Sequence, residues 1–500
     1  YSNGQMELTF VPLLAVVVSL FVVPLILFSS SRPNLREFWT ILAALIKFGL
    51  VLTLLPTALN GDSVELTIVE LAPGLPLLLK ADPFGIFFAV IASGLWIFTS
   101  FYSIGYMRGA GEKKQTRYFA SFAVCLSATI GIAFSGNLLT FIVFYEMLTL
   151  ATYPLVIHKE NRKAIDAGRH YLSYTLTAGL FLIAAGAIIY HLTGTMDFRP
   201  GGIFDGVDVS APLMITTFLL FLGAVGVKAG IMPIHSWLPT AMAAPTPVSA
   251  LLHAVAVVKS GVFGVIRMVG YIFGTDVMAA YSLNDIMLVL AGTTIIVASL
   301  LAFRQDNLKR RLAYSTVGHL SYIVLGVALI TPLGMTGGIM HIAAHATMKI
   351  TLFFCAGAIY VNLHKENISD LNGIAKVMPW TMGAFVIGSM GLAGIPPLNG
   401  FVSKWYLAMG SLEGDMVIPV VILVLSGLLN VGYFFPIIWR AYFKQPGPEL
   451  EKYGEASPFM VVPIMITATL SILFGLFPDL FFHFFELAGS ISRSIFHGGM

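Results

Sequence analysis

Residues 390–405 read MGLAGIPPLNGFVSKW, and residues 222–247 read LGAVGVKAGIMPIHSWLPTAMAAPTP. Each is an apolar stretch broken by the same residues. Ala229-Gly230-Ile231 is followed by Pro233, and Ala393-Gly394-Ile395 by Pro396 and Pro397. Proline removes a backbone donor and clashes with the preceding turn. Non-helical backbone at membrane depth is tolerated only inside protein or beside water. A lysine accompanies each break, Lys228 just before the first and Lys404 just after the second. A kink that merely shapes packing is the simpler reading. A kink in both halves, each with a lysine, is much less common. The breaks lie about five apolar spans apart, and an odd number of crossings reverses the second unit, so the pattern predicts inverted repeats.

Composition supports a membrane setting. The chain has 500 residues, 57% hydrophobic and 11% charged, with a mean hydropathy of +0.87. Soluble domains carry about 25% charged residues, so this chain could not cover a water-facing surface. Cys125 and Cys355 both lie in apolar segments and form no metal or disulfide spacing. No metal site, nucleotide loop or cofactor is expected. The net charge of +3 is explained by topology and implies no nucleic-acid partner. Met6 is a candidate native start, and the first apolar run reads as a retained helix.

The predicted fold is an all-α polytopic membrane protein with about fourteen spans of about twenty residues each. They fall near 6–28, 38–59, 82–104, 118–134, 138–157, 170–192, 211–244, 247–270, 283–303, 313–330, 337–360, 378–411, 416–439 and 458–483. Spans seven and twelve are the broken ones. The expected organisation is an N-terminal group of helices in 1–117, a first repeat in 118–272, a second inverted repeat in 273–440, and a last helix with a short tail in 441–500. Alternate loops carry the basic residues, from Arg32 and Arg36 through Lys159, Arg162 and Lys163 to Arg440 and Lys444. The opposite set carries acids such as Asp62, Glu65, Asp205 and Asp415. The positive-inside rule makes the basic face cytoplasmic and both termini external, in the plasma membrane of a prokaryote.

A few ionisable residues remain inside the spans. A charge at the centre of a membrane helix costs about 2.5–3.5 kcal/mol on insertion scales. Arg267, near a helix end, fits snorkelling to the interface, and Lys47 fits it in part. Glu146 and Lys259 lie centrally. His341, His345 and Lys349 recur at four-residue steps and so share one helix face. Such a stripe is either a helix–helix contact or a water-bridged proton path, and histidine can exchange protons near neutral pH.

The stretches VGVKAGIMPIHSWLPTAMAAPTPVSALLHAVAVVKSGVFGVIR, NLLTFIVFYEMLTLATYPLV, DNLKRRLAYSTVGHLSYIVLG, MHIAAHATMKITLFFCAGAI and GIPPLNGFVSKW resemble the antiporter-like subunits of complex I, Mrp cation/proton antiporters and membrane-bound hydrogenases. The resemblance covers nearly the whole chain. It implies a fourteen-helix fold of two inverted five-helix repeats and a central polar axis. It also implies proton-translocation roles for Glu146, Lys228, Lys259, Lys404, His253, His341, His345 and Lys349, with breaks at Gly230, Pro233, Gly394, Pro396 and Pro397. Glu146 and Lys228 would form an ion pair that opens and closes, and Lys259 would pass charge toward Lys404. The lysine at 404 and the short C-terminus are most similar to the Mrp D-type subunit. Implied partners are other membrane subunits of a multisubunit complex, protons and, as a second candidate ion, Na⁺. The alternative is a proton-pumping subunit driven by redox partners. Two further readings stay open: a haem held by His253 and His345, which a Soret band would reveal, and a scaffold whose buried charges only join helices.

Overall fold

The computed structural model describes residues 8–450 and 454–498. Met6 lies outside them. Twelve helices among the described residues are long and apolar enough to cross a membrane. They are α1 (Val11–Phe28), α2 (Pro33–Leu59), α3 (Pro83–Gly109), α4 (Gln115–Ala133), α5 (Leu138–Val156), α6 (Arg162–Thr193), α7 (Ala211–Ala229), α8 (Thr246–Phe273), α9 (Leu283–Phe303), α11 (Pro332–Leu363), α14 (Ile418–Phe443) and α15 (Pro458–Leu476). Two further helical stretches coincide with expected spans. These are α10 (Leu308–Ala328), with three basic residues in its first turn, and a divided pair, α12 (Pro379–Ala393) and α13 (Asn399–Glu413). The chain is a multi-pass, mainly helical membrane protein.

Local chemistry sets the helix starts. Asp82, Asn137, Asn161, Asn307 and Thr331 each cap a helix by accepting from a backbone N–H three residues on. Proline occupies the first helical position of α2, α3, α11, α12 and α15, where its missing N–H costs nothing.

The two breaks have matching construction. α7 ends at Gly230 with φ 69°, and α12 ends at Gly394 with φ 86°. In the first, Ile231 N–H donates to the Gly226 carbonyl at 3.0 Å. In the second, Ile395 N–H donates to the Met390 carbonyl at 3.1 Å. Both are left-handed glycine caps whose following residue reaches back to the last turn. The Met232–Pro233 and Pro396–Pro397 peptides are both cis. Past the first break the chain continues in short turns, not as a helix reaching residue 244.

α8 and α11 form the buried centre, and the remaining helices pack around them. α8 is not uniform: π-helical turns at Leu251–Val255 and Met268–Phe273 bracket its α-helical middle. α11 packs against α8, α10, α12, α13 and α15. Two features were not anticipated. An antiparallel hairpin, β1 (Val64–Ala72) with β2 (Leu75–Ala81), occupies the α2–α3 connection. A final helix, α16 (Phe484–His497), buries Leu487, Ile491 and Ile495 against the bundle.

Candidate functional site: a buried row of lysines and histidines

On the α5–α7 side, Glu146 and Lys228 do not form the expected ion pair. The Lys228 ammonium donates to the Tyr145 carbonyl at 2.9 Å and sits 3.8 Å from the centre of the Tyr145 ring. Successive helical residues diverge by about 100°, so Glu146 leaves α5 in another direction. Its carboxylate lies against Gly179 of α6, close enough that a methyl group there would overlap Oε1. That Oε1 is buried without a hydrogen-bond partner. Glu146 and Lys228 nevertheless remain within electrostatic reach of each other.

The second cluster is more continuous. Lys259 of α8 meets His345 of α11, Nζ to Nδ1 at 2.7 Å. The His345 ring stacks on His319 of α10 at 5.6 Å between centroids. His319 Nδ1 and His341 Nε2 are 3.2 Å apart. His319 Nε2 is 3.0 Å from Asn430 Oδ1 on α14, and His341 Nδ1 is 2.8 Å from Ser403 Oγ on α13. All of these side chains are buried.

Asn430 sets the direction of these bonds. Its amide nitrogen donates to the Ser426 carbonyl at 2.7 Å, and Tyr433 donates its hydroxyl to Oδ1. Oδ1 can only accept, so His319 Nε2 carries hydrogen. A neutral His319 then offers Nδ1 as acceptor to His341 Nε2–H. His341 Nδ1 in turn accepts from the Ser403 hydroxyl. One asparagine thus fixes the tautomers of two histidines.

Lys404 ends the row. It donates to the Ala393 carbonyl at 3.1 Å, an acceptor at the end of broken α12, and its ammonium lies 5.2 Å from the Tyr322 ring centre. Tyr322 is hydrogen-bonded to Ser426. The break therefore supplies both the space and the partner for this lysine.

Other candidates are not hydrogen-bonded into the row. Lys349 shares the α11 face but donates to the Leu312 carbonyl at 3.3 Å. His253, in the π-helical turn, has neither ring nitrogen bonded and packs on Phe353 at 4.4 Å. Arg267 does not snorkel. It is 1% exposed, pairs with Asp82 through both terminal nitrogens at 2.5 and 2.7 Å, and is ringed by Phe84, Phe198, Phe263 and Tyr271. Lys47 does not snorkel either: it is 0% exposed, with Nζ unbonded and 5.7 Å from the Trp96 ring centre.

Sequence reasoning missed His319, Tyr322, Ser403, Ser426 and Asn430. A signal existed. Ser315, His319 and Tyr322 share a face of α10, as Ser426, Asn430 and Tyr433 do on α14, at helical spacing.

The family described as NADH:quinone oxidoreductase/Mrp antiporter, transmembrane, matches residues 135–430. NADH-quinone oxidoreductase subunit N of Desulforudis audaxviator is 31% identical, covering 94% of this chain and 96% of that protein. Hydrogenase-4 component B of Escherichia coli is 30% identical over 80% of this chain and 62% of its own length. The Mrp complex from Dietzia sp. DQ12-45-1b contains a chain of the same fold, with TM-score 0.88, 23% identity and 98% of each chain covered.

Proposed function

Since the chain belongs to the NADH:quinone oxidoreductase/Mrp antiporter transmembrane family, we propose that it is the proton-translocating subunit of a multisubunit membrane complex. The observation that carries this reading is the buried Lys259–His345–His319–His341 row ending beside Lys404. Protons would be taken up near Glu146 and Lys228 and handed to Lys259. A protonated Lys259 donates to His345 Nδ1. The His345 Nε2 has no hydrogen-bond partner among the described residues, and a water on it would link the ring to its stacked neighbour His319, because buried polar atoms of this kind recruit water. The resting tautomers orient the direct bond from His341 Nε2–H to His319 Nδ1, so passage from His319 to His341 requires the two rings to exchange tautomers first. Tyr322, whose ring centre lies 5.4 Å from that of His341 and 5.2 Å from the Lys404 ammonium, leads the proton to the second break. Other unpartnered hydroxyls on these helices, Ser249, Ser260 and Ser321, offer further water contacts.

In this reading the basic-loop face is cytoplasmic and both termini are external. The residues from α4 to α8 and from α9 to α14 form two inverted units in a fourteen-span arrangement, each with one break. His253 and Lys349 flank the row and tune its charge.

Two kinds of complex fit. In an Mrp-type antiporter, Na⁺ or another cation would move against protons. In a redox-driven complex, partner subunits would supply the energy. The similarity along 96% of an NADH-quinone oxidoreductase subunit supports the second, and the lysine at 404 supports the first. The subunits that co-purify with the chain separate them: iron–sulfur or nickel–iron partners mean a redox pump, and small membrane partners alone mean an antiporter. The translocation claim itself is tested by ion-coupled transport in vesicles. Lys404→Ala is expected to assemble and lose transport, while Lys404→Glu keeps part of it. Wild-type transport by Lys404→Ala would remove Lys404 from the path.

A further inference from the structure

On the face that carries the basic loops, the chain builds a cavity of about 200 Å³ that the proton row does not use. Three separate connections converge on it. Lys159 and Lys163 come from the α5–α6 turn, Lys309 and Arg310 from the start of α10, and Lys365 and Glu366 from the segment after α11. The segments are tied together: Leu308 N–H donates to the Glu366 carbonyl at 2.9 Å, and Asn307 pairs with Asn367.

Some cations on this face are paired, Lys114 and Arg117 with Glu160 and Arg108 with Glu37. Among the described residues, none of the five cations lining the cavity has an acidic partner within 4.0 Å. Lys309, moreover, is held in place by donating to the Ala244 carbonyl at 2.7 Å, and it is within electrostatic reach of Lys159 and Lys163 as well as of the acids Glu366 and Glu112. Converging like charges repel unless a counter-charge sits between them.

Helix geometry adds to the positive field. Asn161 and Asn307, the capping residues of α6 and α10, both line the cavity. Two long helices therefore present their positive ends to one space. Glu366 is the one acid in the lining, and it leaves a clear excess of positive charge.

We propose that this cavity binds a phosphate group. Its place at the end of the spans, with Ala356, Tyr360 and Thr246 as its inner wall, gives the group two sources: the headgroup of an anionic phospholipid, or a free phosphate compound from the aqueous side. Basic pockets between membrane helices on the cytoplasmic side are suited to the first. The site stands apart from the translocation row and does not depend on it.

The test uses the purified full chain with its co-purifying subunits in phosphatidylcholine nanodiscs. Ligand retention is read by native mass spectrometry, once with added phosphatidylglycerol and once with added pyrophosphate. Lys163→Gln and Lys365→Gln are the variants, because neither side chain has a hydrogen bond or ion pair among the described residues. Wild type is expected to retain one of the two probes, and each variant to bind it about tenfold more weakly, the scale of one lost charged contact. Retention of phosphatidylglycerol alone identifies the lipid source, and retention of pyrophosphate the soluble one. Failure to retain either, or undiminished binding in both variants, would overturn the proposal. So would crosslinking of an acidic segment of another subunit into the cavity from position 365.

Discussion

At the residue scale, buried charges here are handled in two ways. Arg267 and Asp82 pair through both terminal guanidinium nitrogens inside an aromatic cage. Among the described residues, Glu146, Lys228, Lys259 and Lys404 have no ionic partner within 4.0 Å. The first arrangement is built to stay fixed. Arg267→Ala would leave Asp82 buried and unpaired, so a loss of about 3–5 kcal/mol is expected, visible as a lower unfolding temperature of the detergent-solubilised protein. An unchanged temperature would refute the structural role. The second arrangement is the one the proposed translocation requires. Glu146→Gln is expected to reduce ion-coupled activity about a hundredfold, the usual scale for losing a proton-transfer group, with Glu146→Asp retaining part. Gly179→Ala should act on the same group from another helix, because its methyl would displace the Glu146 carboxylate. It should therefore resemble Glu146→Asp in transport while leaving assembly intact; full activity would show that the carboxylate's position is unimportant. The sequence marked these four charges as anomalies. It could not say which were paired, because pairing depends on how each helix is rotated, and Arg267 near a helix end looks the same whether it reaches for the interface or for Asp82.

At the element scale, the two helix breaks share a glycine cap yet differ in what surrounds it. At Gly230 an added methyl would find only ordinary contacts, the nearest at 3.7 Å. At Gly394 it would come within 2.6 Å of Lys404 Cδ. Both glycines are left-handed, a conformation that costs an L-residue about 1–2 kcal/mol. Gly230→Ala and Gly394→Ala should therefore lose similar stability, while only Gly394→Ala should also lose transport, by moving Lys404. Equal transport in the two variants would separate Lys404 from its break. The breaks were readable in the sequence because glycine and proline act through the local backbone. The α2–α3 hairpin and α16 were not. The hairpin segment drew attention only for its acids, and α16 has an apolar face too narrow for a span.

At the scale of the whole molecule, the apolar runs and the alternating loop charges were enough to identify a polytopic helical protein. The second half of the buried lysine–histidine row was only partly legible. His341 and His345 stood out on one helix, whereas His319 and Asn430 acquire meaning only when α10 and α14 pack on α11. The loop network on the basic face makes a separate prediction about pH. Burial, with Arg117 nearby, pushes the His158 imidazole down to about 4. Its unfolded form takes up a proton near pH 6.5, so folding stability from this group is complete above pH 6.5 and declines as pH falls toward about 4. Hydrogen bonds from Lys114 and Arg117 hold the exposed Glu160 carboxyl down to about 2, so its contribution is lost only below about pH 4.5. Thermal unfolding followed from pH 7 to pH 4 should show a decline that His158→Gln flattens; an identical decline in that variant would assign the effect elsewhere.

The central claim is that protons cross along the histidines between Lys259 and Lys404. Proton flux into vesicles containing the assembled complex, measured for His319→Ala beside wild type, tests it most directly. His319 touches His341, His345 and Asn430 at once, and its loss should interrupt the row. The expected result is a complex that assembles at wild-type yield with flux reduced at least about tenfold. Wild-type flux through the assembled His319→Ala complex would contradict the account.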